Sequence, residues 1–181
     1  MESYRIHPEA AVYYVTYAVV EWLPVFVTEA AFRIVTDSLS FCHRHKHLRI
    51  NAFVLMPTHL QMIVFDGDFA NERLSSTLAD FRKFTGRQLS DFAASHLPRC
   101  FSETLRAQAT ADRERRLWQP SRHPEALQSE PFWQQKVDYL HDNPRRKGLV
   151  RLAEEWRWSC AAWYFSDGRQ LVDVPLTAIA W

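Results

Sequence analysis

The sequence predicts an α+β fold in which an antiparallel sheet carries helices packed on one face. Three segments, residues 11–22, 50–57 and 58–66, are rich in Val, Ile, Tyr and Phe, which is typical of strands. The segments after the first and third of them have apolar residues at helical spacing. The chain has 181 residues, 47% of them hydrophobic, enough for one domain with its own core. We therefore assign residues 1–181 to a single domain.

The first half of the chain has clear boundaries between elements. The first strand, residues 11–22, leads into a helix with Thr28 as its N-cap. The next two strands form a hairpin that ends at a turn, residues 66–68. A second helix covers residues 71–97, with Gly86 as the position where an interruption is expected.

The second half is less regular. The many Arg, Gln, Ser and Pro residues between positions 98 and 130 predict a loop, with a short strand around Trp118. A third helix begins at Glu130 and is expected to stop at Pro144. Residues from about 152 to 181 form a C-terminal tail that packs on the domain. The order of elements is that of a ferredoxin-like layer, which leaves the second face of the sheet for a ligand.

Composition and charge exclude several classes of protein. Cys42, Cys100 and Cys160 are far apart and form no Cys-x-x-Cys pair, so neither a disulfide framework nor a zinc ribbon is indicated. No apolar run approaches the roughly 20 residues of a membrane helix, and the N-terminus lacks a signal-peptide pattern. We expect a cytoplasmic protein with no membrane partner. The net charge of +1 leaves nucleic-acid binding open, because binding depends on local charge.

A histidine and a glutamine, His59 and Gln61, interrupt an otherwise apolar strand pattern. Residues two apart in a strand point to the same face, so an imidazole nitrogen and an amide oxygen project together. These are two ligands for a divalent metal, and a helix crossing above could supply a third. Taken alone, a His-x-Gln pair is more often structural than functional.

The third predicted helix adds a tyrosine and an asparagine. Asn143 follows Tyr139 by four residues, so the two share one face if the helix extends that far. A tyrosine phenol, with an ordinary pKa of about 10, needs activation or an electrophile polarised by a cation. A metal bound to a phosphodiester oxygen supplies that polarisation. The combination indicates transesterification of a phosphodiester.

Two motifs resemble a known family. "INAFVLMPTHLQMIV", residues 50–64, is similar to a strand pair in which a proline and a polar pair precede His-hydrophobic-His. "VDYLHDNPRRKGLV", residues 137–150, resembles a Tyr-x-x-x-Asn-Pro segment followed by Gly-hydrophobic-Val. "FRKFT", "WQP" and "WRWSCAAWY" are supporting similarities. On these residues the chain resembles the single-tyrosine HUH transposases, most closely the REP-associated tyrosine transposases of bacteria.

The resemblance implies an HUH-endonuclease fold and a metal-dependent transposase, an endonuclease and strand transferase for single-stranded DNA. By match, Tyr139 attacks the scissile phosphate and forms a 5′-phosphotyrosine link. His59, Gln61 and Asn143 hold the metal, Mg²⁺ or Mn²⁺. Gln61 departs from the family, which usually has a second histidine there; an amide oxygen is a weaker but acceptable ligand for these ions.

The resemblance also implies partners. These are hairpins of repetitive extragenic palindromes with a short flanking tetranucleotide, met in the cytoplasm at the nucleoid. No organic cofactor is expected, and the chain would act as a monomer or a homodimer.

Basic side chains form three groups along the chain. They lie in the second helix, just before Trp118 and directly after the tyrosine segment. Basic and aromatic side chains together suit a single strand, because phosphates take the charge and bases stack. The candidates for DNA binding are Arg82, Lys83, Arg87, Arg115, Arg116, Arg145, Arg146 and Lys147.

Other interpretations stay open. One is a domesticated relative that binds DNA or RNA hairpins with little catalysis, and another is a metal-independent protein-interaction domain whose basic groups are ordinary surface. His43 and His47 in "HRHKH" could also bind a metal. A solvated cationic helix end that complements the helix dipole is the favoured explanation for them.

Overall fold

A four-stranded antiparallel sheet lies at the centre of the fold, with the strand order β2–β3–β1–β4. The computed structural model describes residues 11–109, 114–120 and 124–179. The four strands are β1 Val12–Ala18, β2 Leu48–Met56, β3 His59–Asp66 and β4 Glu125–Ala126. β2 and β3 form the predicted hairpin, in which Met56 pairs with His59 across a two-residue turn.

Two long helices, α1 (Glu29–His45) and α2 (Asn71–His96), pack on one face of the sheet. Thr28 caps α1 as predicted, because its hydroxyl accepts from the amide three residues later at 3.4 Å. Tyr17 of β1 stacks on Phe81 of α2, with ring centroids 6.1 Å apart, which identifies the face that these helices cover. The predicted α+β class, an antiparallel sheet with packed helices, is confirmed.

The helices after the hairpin differ from the prediction in two places. α2 runs through Gly86 without a break, and a Cβ there would lie 3.3 Å from the Trp118 ring, so the glycine makes room for packing. α3, Arg99–Ala107, occupies part of the predicted loop, and only Ser102 and Leu105 of it are buried. Trp118 makes a single β-bridge rather than a short strand. None of the helices in the described ranges is long and apolar enough to cross a membrane.

A further helix, α4 (Glu130–Arg146), lies on the face that α1 and α2 leave uncovered. Gln61 pairs with Thr16, and Tyr17, the next residue of β1, points to α2. Since neighbouring side chains alternate across a strand, Gln61 points away from α2 and towards α4. The sheet therefore separates two helical layers, and α4 lies on the side of the polar pair.

Two predicted boundaries are wrong. β1 ends at Ala18, because the residues Val20–Trp22 form a 3₁₀ turn instead of continuing the strand. The third predicted helix does not stop at Pro144, which lies inside the last turn of α4. A proline costs a helix interior about 3 kcal/mol. Burial of Leu140 and of Pro144 itself against the fold offsets this cost.

The C-terminal segment closes the outer edge of β2. Three backbone hydrogen bonds join the strand to Trp158, Cys160 and Thr177, with N···O distances between 2.8 and 3.1 Å. A short helix, α5 (Ala161–Phe165), lies between the first two contacts and the third. An open strand edge would offer unpaired amides and carbonyls to other chains, so this segment removes a site of association.

Candidate active site

Two strand residues and one helix residue meet on the α4 side of the sheet. His59 opens β3 and Gln61 follows two positions later on the same face. The side-chain amide nitrogen of Asn143 lies 3.0 Å from Gln61 Oε1 and 3.2 Å from His59 Nε2. Gln61 is 6% exposed, His59 8% and Asn143 4%, so water competes little for these contacts. The structure thus brings together the three residues that were predicted as metal ligands.

His59 has a defined hydrogen-bonding pattern on both ring nitrogens. Nε2 accepts from the Asn143 amide, which leaves Nδ1 to donate to the Thr58 hydroxyl at 2.9 Å. Burial, together with the positive charge of Lys147, lowers the pKa of His59 to about 4. The imidazole is therefore neutral at pH 7, with the Nε2 lone pair directed towards Asn143. Neutral imidazole is the form that binds metals.

These side chains fit a divalent cation that prefers oxygen ligands, such as Mg²⁺ or Mn²⁺. His59 offers an imidazole nitrogen and Gln61 an amide oxygen. A half-turn of the Asn143 amide would replace its nitrogen by Oδ1 as the third donor. All three donors are neutral, so the charge of the cation would be balanced by a bound phosphate.

Metal binding elsewhere finds no support in the described residues. They contain no cluster of three or more His, Cys, Asp or Glu side chains that could hold an ion. α1 ends at His45, so His43 and His47 do not share a helix face. The basic last turn of α1 agrees with the solvated helix end that was favoured for this segment.

Tyr139 lies one helical turn before Asn143 and is 44% exposed. It borders a cavity of about 310 Å³ whose other lining residues are Tyr14, Gln61, Gln135 and Lys136. The guanidinium carbon of Arg146 is 5.2 Å from the centroid of the Tyr139 ring. The predicted nucleophile is therefore accessible to a large substrate and shares a cavity with one of the predicted metal ligands.

The sequence analysis missed two titratable residues of this cavity, Lys136 and Tyr14. Lys136 Nζ lies 2.6 Å from Glu125 Oε2 and 4.8 Å from the centroid of the Tyr14 ring. Burial raises the pKa of the Tyr14 phenol well above its ordinary value, so this tyrosine is a poor nucleophile. Lys136 precedes Tyr139 by three residues and could have been found from helical spacing. Tyr14 gave no such signal, because a tyrosine in a strand is common.

One predicted basic group lies beside the site. Directly after Pro144, Arg145 and Arg146 end α4, and Lys147 is its C-cap residue. Arg145 forms a salt bridge with Asp142, with an N···O distance of 2.5 Å, and the carboxylate neutralises part of its charge. The positive charge of Lys147 contributes to the lowered pKa of His59. This group supplies positive potential where a phosphate would meet the polar side chains.

The other basic residues lie on the α2 side of the sheet, away from His59 and Gln61. They border a separate cavity of about 490 Å³ together with Trp118. Arg115 pairs with Asp91 at 2.5 Å, and Arg82 donates to the carbonyl of Gln119. The structure brings these predicted DNA-binding residues into one cluster: Arg82, Lys83, Arg87, Arg115 and Arg116.

Comparison with solved structures identifies a relationship of fold. No protein-family model matches the sequence, and no curated protein matches it either. A solved structure of a REP-associated tyrosine transposase bound to a REP hairpin is similar, with a TM-score of 0.66. The chain has the fold of a tyrosine transposase. The match covers 100% of this chain and 95% of the transposase, at 18% sequence identity.

The similarity to the transposase concerns the backbone over the whole chain. At 18% identity it establishes the α+β fold, whereas the activity and the substrate depend on the side chains of the site. What this chain does must therefore be argued from His59, Gln61, Tyr139 and Asn143 themselves.

Proposed function

We propose that this protein is a transposase-like endonuclease and strand transferase that acts on single-stranded DNA hairpins through Tyr139. The observation that carries the proposal is an exposed tyrosine one helical turn from Asn143, whose buried amide reaches both His59 and Gln61. Three buried polar side chains in contact, one helical turn from an accessible phenol, add little to the stability of a hydrophobic core. Such an arrangement is more typical of a functional site. The fold shared with a transposase that binds a REP hairpin supports the choice of substrate.

Cleavage would proceed by attack of the Tyr139 hydroxyl oxygen on phosphorus. The bond from phosphorus to the 3′ oxygen breaks as the bond to the phenol forms, which leaves a 5′-phosphotyrosine and a free 3′-hydroxyl. The phenol proton passes to water, and the departing 3′ oxygen takes up a proton. Strand transfer reverses these steps: a 3′-hydroxyl attacks the phosphotyrosine and releases Tyr139.

The chain's own residues would bind and orient the phosphate. His59, Gln61 and Asn143 would hold Mg²⁺ or Mn²⁺, which withdraws charge from a phosphate oxygen. The guanidinium group of Arg146 lies over the Tyr139 ring, where it would favour the developing phenolate. Lys136 adds a second positive charge at the cavity wall, held in position by Glu125.

The basic cluster on the α2 side would contact a different part of the DNA. Arg87 and Lys83 are exposed and border its cavity, so they are available to phosphates of a hairpin stem. The flanking single strand would then reach the cavity at Tyr139 on the other side of the sheet. We propose that the protein acts as a cytoplasmic monomer or homodimer at the nucleoid and needs no organic cofactor.

A second candidate function is hairpin binding without catalysis. It is favoured by the donor set, since Gln61 stands where the resemblance implies a histidine and the site has no carboxylate. In the structure the Asn143 amide nitrogen, not its oxygen, faces the other two side chains. A protein that binds hairpins of DNA or RNA through its basic groups would tolerate such a site.

Covalent capture on a denaturing gel tests the proposal. The substrate is a pool of DNA hairpins with randomised single-stranded flanks, incubated with Mn²⁺ or Mg²⁺. A covalent adduct should form with the native chain and disappear with Tyr139→Phe. Tyr14→Phe is the matched control, because Tyr14 lines the same cavity but is buried, and its adduct should remain. Gln61→Ala should raise the metal concentration that adduct formation requires.

Each outcome separates the two candidate functions. An adduct that persists in Tyr139→Phe would rule out Tyr139 as the nucleophile. Tight binding of the hairpin pool without any adduct, in the presence of either metal, would favour the binding protein. Weak binding of every hairpin, even at low salt, would contradict both candidates.

A further inference from the structure

Trp22 lies at the rim of the candidate active site. It ends the 3₁₀ turn Val20–Trp22 that follows β1. Its ring meets the His59 ring edge to face, with centroids 5.8 Å apart and an interplanar angle of 84°. The indole is nevertheless 55% exposed, although tryptophan is mostly buried in folded proteins. A large aromatic surface therefore faces solvent directly beside a buried predicted ligand.

The backbone that presents this ring is strained and firmly held. Glu21 and Trp22 have φ values of 51° and 54°, in the left-handed region that non-glycine residues seldom adopt. The Val20 amide donates to the Leu117 carbonyl at 2.8 Å, and the Glu21 carboxylate accepts from the side chain of Gln108 at 3.0 Å. Strain of this kind persists only where the surroundings enforce it, and it clusters at functional sites. The fold thus fixes Trp22 in place without burying it.

We propose that Trp22 is a nucleobase-stacking residue that positions the nucleotide next to the scissile phosphate. The inference rests on the proposed function and adds a residue that selects the bond to be cut. A phosphate at His59 would place its neighbouring nucleotide close to the exposed ring of Trp22, whose centroid is 5.8 Å from that of His59. Every base offers a π face, so indole stacking holds a nucleotide without reading its sequence.

The chain offers a matched control in Phe69. This aromatic is 60% exposed and also has a positive φ, 59°. It lies just after the end of β3 at Asp66, whereas His59 is the first residue of that strand. Its ring stacks on Phe65, with ring centroids 5.9 Å apart. Replacing it removes a similar ring from a similar backbone at a distance from the site.

The test measures the rate of adduct formation on hairpins in which one nucleotide beside the cleaved bond is abasic. Trp22→Ala should lower the rate about tenfold on the intact hairpin and have little effect on the abasic one, because the stacking partner is already absent. Trp22→Phe should restore most of the rate, and Phe69→Ala should leave it unchanged. An equal loss on intact and abasic hairpins would overturn the inference, since it would mean that Trp22 only supports His59.

Binding gives a second readout that does not need cleavage. The Kd is measured by fluorescence anisotropy for a hairpin with a single-stranded flank and for the same stem without it. Trp22→Ala should weaken binding of the flanked hairpin by about tenfold and leave the bare stem unaffected. If both hairpins bind the variant as they bind the native chain, the inference is wrong. A native chain that forms no adduct but shows this flank-dependent loss would refute the proposed function and support the role of Trp22.

Discussion

Replacing Asn143 by alanine should destabilise the protein by about 3 kcal/mol. The substitution removes the one amide that donates to both Gln61 Oε1, at 3.0 Å, and His59 Nε2, at 3.2 Å. Asn143 is 4% exposed, so water cannot readily replace it. A buried acceptor left without a donor costs about 1–3 kcal/mol. We take about 2 kcal/mol for the shorter contact and about 1 kcal/mol for the longer one.

Urea denaturation of the two proteins, with and without Mn²⁺, measures this difference. Gln135→Ala is the control, because Gln135 lies on the same helix but is exposed, and its effect should stay within about 0.5 kcal/mol. Mn²⁺ should raise the unfolding midpoint of the native chain and raise that of Asn143→Ala much less. An Asn143→Ala variant as stable as the native protein would refute the reasoning, because the amide would then not join α4 to β3.

Three further predictions concern the metal, pH and salt. Gln61→His should tighten Mn²⁺ binding roughly tenfold, since imidazole is the stronger ligand; calorimetric titration that finds weaker binding would contradict this. Burial lowers the pKa of His59 and His141 to about 4, so between pH 6.5 and 4 the unfolded chain binds more protons. The free energy of unfolding should therefore decrease as the pH is lowered, by about 2 kcal/mol per histidine at pH 5. A free energy of unfolding that does not change over this pH range would argue against it. Joint replacement of Lys83 and Arg87 by glutamine should reduce the slope of log Kd against log salt by about 1 to 2 for hairpin binding, while an unchanged slope would place the DNA elsewhere.

The core of the site could be predicted because its geometry follows from local periodicity. His59 and Gln61 share a face by the alternation of a strand, and Tyr139 and Asn143 lie one turn apart in a helix. The proximity of the two pairs does not follow from periodicity. It was inferred by resemblance, and in the structure it arises because α4 crosses the face of the sheet that α2 leaves uncovered.

The features that the sequence analysis missed depend on contacts between distant segments. Trp22 was assigned to a strand because its neighbours are β-prone, but contacts with Leu117 and the hairpin turn impose a 3₁₀ turn. Pro144 is an ordinary helix stop by local rules, and only its burial against the fold keeps α4 intact beyond it. Gly86 was expected to weaken α2, whereas the proximity of Trp118 explains why a glycine belongs there.

The closure of β2 by the C-terminal segment has a consequence for the newly made chain. The partners across this edge are far apart in sequence: 101 positions separate Leu55 from Trp156, and 126 separate Asn51 from Thr177. At a synthesis rate of about 5–20 residues per second, β2 would wait roughly 5 to 25 s on the ribosome before its cover is made. During that interval neighbouring nascent chains on one messenger would present the same unpaired strand to each other. Yield in a cell should therefore depend on how quickly translation reaches the last thirty residues, even though those residues lie apart from the chemistry.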